Sequence, residues 1–189
     1  MTSIAVLTAP TEEGSRYHSM RMSEAEYLVL PEEKPGLEFH DGLVIQKAMA
    51  NADHRRLSGE FDFRFALMVR TAGGDFGPEG RVRLSTGRYR LPDTAAWAPG
   101  VPSGDDSMPT VAVEVRSPDE SMASQRAKCR LYRQSGVPVV WLVDPRTRTV
   151  EIFEDDRDGT VLRIGDTLTT PHLPGFSLPL AELFAVLDR

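Results

Sequence analysis

Three residues combine a chemical type and a setting that suit phosphodiester chemistry. Asp93 follows a proline, Glu114 lies in a run of alternating valines, and Lys128 sits in the segment that follows. Magnesium and manganese prefer oxygen ligands, and cleaving a phosphodiester requires a metal that grips a phosphate oxygen and lowers the pKa of an attacking water. Two carboxylates with a nearby lysine meet that need. Residues 94 to 113 separate the two acids, which converge if the segments carrying them are neighbours in one sheet. The backbone carbonyl of Val115 would then complete the protein ligands.

Each of these residues also has a structural reading. An aspartate after proline is a common turn or cap residue. A carboxylate among valines costs free energy unless it is paired or metal-bound, so the alternative for Glu114 is a buried salt bridge with Arg116 or Lys128. Lys128 can instead run along an apolar stripe and reach solvent. Glu38, just before His40-Asp41-Gly42, reads by default as a solvated hairpin residue, and His54 as a helix-start residue. Asp144 before Pro145 reads as a turn former, and Trp141 and Tyr132 as core. Cys129 has no base motif around it and is not a candidate nucleophile.

The elements that must position the acids are readable in part. Residues 1 to 17 form an expected flexible leader ahead of a single domain over 18 to 189. Ser23, Glu24 and Glu26 mark a helix start within Met20 to Leu30. LEFHDGLVIQKAMA reads as two strands joined at Asp41-Gly42. Asn51 to Thr71 carries Leu57, Phe61, Phe65, Leu67 and Met68 at mostly helical spacing, with Asn51 or Asp53 as cap. A glycine-rich turn, a strand near Arg81 to Leu84, a turn at Thr86-Gly87 and an extended segment lead to Pro92-Asp93. Pro92 cannot donate to a ladder, so the sheet is edged or interrupted there and Asp93 lies at a strand boundary.

In PTVAVEVRSP the period of two puts Val111, Val113 and Val115 on one face and Ala112, Glu114 and Arg116 on the other. Ser117-Pro118-Asp119 ends that strand and opens a helix to about Gln134, stopped at Gly136, with Ala123, Ala127 and Leu131 as its expected buried stripe. From Arg116 to Arg133 there are five Lys/Arg against two Asp/Glu, a local positive balance in an acidic chain. Strands follow at Val137 to Val143 and Val150 to Phe153, and LPLAELFAVL closes the chain as a helix. The order suggests a mixed α/β fold, one mixed sheet with helices packed on it.

At 189 residues the chain is long enough to bury roughly 70% of its unfolded surface without staples. One cysteine excludes an internal disulfide and a cysteine-rich zinc site, and fits a reducing cytoplasmic compartment. No apolar run approaches the roughly 18 residues of a membrane span. A net charge of -6 argues against a broad basic coat for nucleic acid, although a cleft needs only local positive charge.

RLPDTAAW, PTVAVEVRSP, a helix with KCRLY, SGVPVVWLVDP and the terminal GDTLTTPHLPGFSLPLAELF occur in one order. Together they resemble the Uma family of restriction-endonuclease-like proteins, a branch of the PD-(D/E)XK nuclease superfamily. The resemblance implies a restriction-endonuclease-like central mixed sheet flanked by helices. It also implies a Mg²⁺- or Mn²⁺-dependent endonuclease acting on nucleic acid, DNA being the expected substrate. On it, Asp93 and Glu114 match the two metal-binding acids, Glu38 an accessory acid and Lys128 a lysine displaced onto the helix. His54 matches a histidine of unassigned role. Arg116 stands where the superfamily has its usual lysine, and Ser124 where this family often has an aspartate. These departures motivate an alternative, a non-catalytic member serving as a binding or dimerisation module. Homodimerisation suits either reading, since two copies cut both strands of a duplex most simply.

Overall fold

The computed structural model describes residues 15–85, 87–104, 107–118 and 120–189. In chain order the elements are α1 (Glu24–Leu28), β1 (Leu37–His40), β2 (Leu43–Gln46), α2 (Ala52–Ala72), β3 (Asp75–Gly77), β4 (Val82–Ser85), β5 (Arg88–Arg90) and β6 (Thr94–Trp97). Then come β7 (Val111–Val115), α3 (Met122–Gln134), β8 (Val139–Asp144), β9 (Thr149–Phe153), β10 (Thr160–Leu162), β11 (Thr167–Leu168), β12 (Leu178–Pro179) and α4 (Leu180–Ala185). Asp119, assigned to the helix opening, Thr86, assigned to a turn, and residues 1–14 of the leader lie outside the described residues. The end of the leader is docked: the Ser15 N–H donates to Gln46 Oε1 at 2.8 Å, and Tyr17 packs on the nearby apolar cluster.

Local chemistry explains the starts and turns. Ser23 and Glu26 form a reciprocal capping box on α1, satisfying N–H groups that a helix start leaves free. Asn51 caps α2 by accepting from the His54 N–H, which fixes the first turn that carries the His54 side chain. The β1–β2 hairpin turns through Asp41 and Gly42, both at positive φ, as a two-residue turn matching strand twist requires. Ser121 caps α3, so this helix starts a few residues later than the sequence reading placed it.

The strands make a mixed six-stranded sheet in the order β10-β9-β8-β7-β6-β3, an antiparallel four-stranded sheet β2-β1-β5-β4, and a small β11-β12 ribbon. The expectation of one mixed sheet is therefore met by the larger sheet and extended by the second one. The glycine-rich stretch after α2, expected as a turn, also pairs, as β3, with β6. Among the described strands only β7 and β8 pair in parallel, joined by α3 as crossover.

Val111, Val113 and Val115 pack with Leu57, Phe61, Phe65 and Met68 of α2 and with Leu180, Leu183 and Phe184 of α4. Ala112 belongs to a second layer, with Cys129 and Tyr132 of α3 and Val82 and Leu84 of β4. The alternation read from the sequence thus decides the layering, and Glu114 faces α3. Two helix faces differ from expectation. Leu67 points outward at 43% exposure. On α3 the buried positions are Gln125, Cys129 and Tyr132, while Ala123 and Ala127 are exposed. The helix is rotated so that its polar Lys128–Tyr132 edge meets the strand carboxylate, and small alanines cannot outweigh that contact. Among the described residues, no helix is long and apolar enough to cross a membrane.

Candidate active site

The floor of the site is built where β6 begins beside the end of β7. These strands pair antiparallel with Thr94 opposite Val113, and the Asp93 N–H continues the contact, donating to the Val113 carbonyl at 3.0 Å. The Val115 N–H in turn donates to Asp93 Oδ2 at 2.7 Å. In an extended strand a residue's N–H and C=O face the same edge, so the Val115 carbonyl is presented beside Asp93. The two segments are neighbours, and Asp93 and Glu114 come together as the spacing argument required.

Glu114 is 2% exposed and carries two donors from one face of α3. Lys128 Nζ lies 2.8 Å from Oε2, and the Tyr132 hydroxyl donates to Oε1 at 2.9 Å. Those two side chains are four residues apart, one turn of the helix, which is why they reach the same carboxylate. The salt-bridge alternative for Glu114 is met by Lys128 and not by Arg116, whose guanidinium goes to Asp144 at 3.0 Å. Asp144 is a turn former as well, its Oδ1 accepting from the Arg146 N–H.

Glu38 is no solvated hairpin residue. It is 4% exposed. Arg90 Nη1 donates to its Oε2 at 2.6 Å and the Leu91 N–H to its Oε1 at 3.2 Å. Lys128 lies 3.6 Å away, so one lysine stands between Glu38 and Glu114. His54 keeps its expected place at the start of α2 and gains a partner there: its Nε2 is 2.9 Å from Asp93 Oδ2.

Lys47 is the residue the sequence reading missed. Its ammonium is 2.7 Å from Asp93 Oδ1 and donates to the Leu91 carbonyl at 2.8 Å. A signal was present: the two-residue turn pairs Glu38 with Ile45, and Lys47, two positions on, continues that face. Finding it required fixing the hairpin register first. Asp93, Glu114, Lys128, Glu38, His54 and Lys47 together line a cavity of about 480 Å³, and Val115 and Ser124 also reach it. The Ser124 backbone N–H donates to the capping Ser121 hydroxyl at 3.1 Å.

Electrostatics follow from this packing. Burial opposes ionisation of Asp93, but Lys47 and His54 outweigh it and hold the carboxyl well below its ordinary range. Burial likewise opposes the Glu38 carboxylate, and Lys128, His40 and Arg90 overcome it. Burial pushes Glu114 up, with Lys128 acting against that push. Burial disfavours the Lys128 ammonium, yet Glu114, Glu38 and Asp93 hold it above the ordinary lysine value. The Cys129 thiol is buried and pushed up, which leaves it without nucleophilic character.

Among the described residues no three His, Cys, Asp or Glu side chains converge as a metal cage. Magnesium does not require one, since it is commonly held by one or two carboxylates, waters and substrate phosphate. Asp93, Glu114 and the Val115 carbonyl are all hard oxygen donors, and they fit that ion.

The family model described as "Uma2: Putative restriction endonuclease" matches residues 24–181. The chain belongs to the Uma2 family. This Uma2 chain also superposes on the crystal structure of a "putative nuclease belonging to DUF820" from Anabaena variabilis, with a TM-score of 0.76 at 22% identity. That match covers 88% of this chain and 99% of the other, and it establishes a shared fold. A cryo-EM structure of the DrdV–DNA complex matches at a TM-score of 0.38 and 12% identity, over 70% of this chain and 13% of that one. No curated protein matches. The family and the mixed central sheet flanked by helices, both expected from the motifs, are thereby found.

Proposed function

We propose that this Uma2 protein is a divalent-metal-dependent endonuclease that hydrolyses phosphodiester bonds of nucleic acid, with DNA as its substrate. The observation that carries the proposal is the convergence of Asp93, Glu114 and Lys128 on one cavity, in a chain whose family model is described as "Putative restriction endonuclease". Asp93, Glu114 and the Val115 carbonyl would hold Mg²⁺ or Mn²⁺. That ion, when bound, supplies a polarised phosphate oxygen and a more acidic water.

The protein's own groups do the rest. Lys128, anchored between Glu114 and Glu38, orients the water or offsets the negative charge carried by the phosphoryl oxygens as the water oxygen adds and the ester oxygen leaves. Glu38 assists by positioning Lys128 rather than by meeting the substrate. Asp93 is held in place by a backbone N–H and by His54, so its orientation does not depend on the metal. In this reading the protein acts in the cytoplasm, and two copies together serve the two strands of a duplex.

One observation favours a second reading, a non-catalytic binding or dimerisation module. The acids are already matched by cations, Asp93 by Lys47 and Glu114 by Lys128. Calorimetric titration of Mn²⁺ into wild type, Asp93→Ala and Glu114→Ala separates the two, followed by incubation with labelled DNA and RNA. Binding lost in both variants together with cleavage by wild type supports the nuclease. Tight metal-independent binding of nucleic acid or protein without turnover supports the module.

A further inference from the structure

We propose that Lys47 is a resident counter-ion of the site that competes with the divalent ion for Asp93 and, once displaced, contacts the substrate phosphate. This rests on the metal-dependent reading above. The two oxygens of Asp93 are held differently. Oδ2 takes the Val115 N–H at 2.7 Å and His54 at 2.9 Å, one of them a fixed strand donor. Oδ1 takes the Lys47 ammonium at 2.7 Å, the end of a flexible four-carbon stem. A cation arriving from the cavity therefore meets Asp93 at the oxygen Lys47 covers.

Lys47 cannot withdraw into solvent. Its side chain is 11% exposed, its backbone N–H is fixed to the Gly36 carbonyl at 2.9 Å, and Nζ is tethered to the Leu91 carbonyl at 2.8 Å. An ammonium has three donors, and Asp93 and Leu91 take two of them. Glu79 on the rim is 4.0 Å away, so the third donor faces the cavity side.

Charge counting points the same way. The cavity lining carries Glu38, Glu79, Asp93, Glu114 and Glu120 against Lys47, Arg90 and Lys128. A divalent ion offsets that acidic excess in place of Lys47, and Lys47, freed from Asp93, is a cation already inside the cavity for an anionic phosphodiester.

The test is Mn²⁺ titration without nucleic acid on wild type, Lys47→Met and Lys47→Arg, with single-turnover cleavage measured alongside. Removing a cation this close to a carboxylate changes the affinity for a proton by roughly 10- to 1,000-fold. Lys47→Met should therefore bind Mn²⁺ at least about tenfold more tightly while cleaving more slowly, and Lys47→Arg should bind it about as weakly as wild type. Binding seen in Lys47→Met alone counts as the predicted gain. If Lys47→Met does not fold, Lys47→Gln keeps donors for Leu91 and Asp93 without the charge and carries the same expectation. Equal or weaker Mn²⁺ affinity in a folded uncharged variant overturns this inference and leaves the nuclease reading standing. No Mn²⁺ binding by any form removes the metal-dependent reading, and the inference falls with it.

Discussion

The backbone N–H of Val115 donates to Asp93 Oδ2 at 2.7 Å, so the strand that carries Glu114 also clamps the other acid. The separation of the two carboxylates is thereby set by main-chain geometry and not by the metal. Asp93→Asn keeps an oxygen that can accept this bond and should fold. It should lose more than about 100-fold in Mn²⁺ affinity and cleavage, because even the outer partners of metal ligands cost 10- to 100-fold. Calorimetry and a cleavage assay on the folded variant check this, and near wild-type cleavage would refute the role of Asp93.

Glu114 and Lys128 form a buried pair, with side-chain exposures of 3% and 14%. Lys128→Met strands a carboxylate in the α3 layer and should cost about 3–5 kcal/mol in urea unfolding. The double variant Glu114→Gln/Lys128→Met removes both charges and should recover much of that loss. A coupling below about 0.5 kcal/mol would show that the two residues act independently.

Acid stability should report on Glu38. Its folded pKa is depressed, so as pH falls the unfolded chain takes up the proton first, near a pKa of roughly 4.3. The stabilisation is complete above that value and is lost as pH falls toward the folded pKa, at up to about 1.4 kcal/mol per pH unit. Glu38→Gln should flatten the slope of unfolding free energy between pH 5 and 3, values of the order set by the carboxylate range. An unchanged slope would mean that other carboxylates dominate.

Gly74 links α2 to β3 at φ +95, and a Cβ there would lie 2.3 Å from the Trp97 carbonyl. Neither the conformation nor the backbone oxygen can yield cheaply. Gly74→Ala should lower stability by more than about 1 kcal/mol, read as a drop in thermal midpoint with β3–β6 pairing disturbed. A midpoint equal to wild type would contradict this packing.

The parts of the site that sit on one short stretch were legible. Glu114 and Lys128 belong to a strand and the helix after it, and alternation plus one helical turn relate them. Asp93 was legible as a strand-boundary acid because Pro92 announces the boundary. Its exact partner strand was not, since pairing is a tertiary choice. Lys47 was hidden for a different reason. A lysine at a strand end is ordinarily a surface residue, and only the approach of the smaller sheet to the larger one buries it. Ala123 and Ala127 misled because helical periodicity counts apolar residues and gives no weight to a buried carboxylate waiting for Lys128 and Tyr132.

The location of those charges has a further consequence. Lys47 and Glu38 belong to the hairpin of the smaller sheet, whereas Asp93, Glu114 and Lys128 belong to the larger sheet and its crossover helix. The Lys47–Asp93 and Glu38–Lys128 contacts thus span the seam between two independently hydrogen-bonded slabs, and they act as mortar as well as machinery. A substitution that disarms the floor of the cavity also removes a tie to its wall, so the joint between the sheets and the chemistry beneath it share the same few side chains.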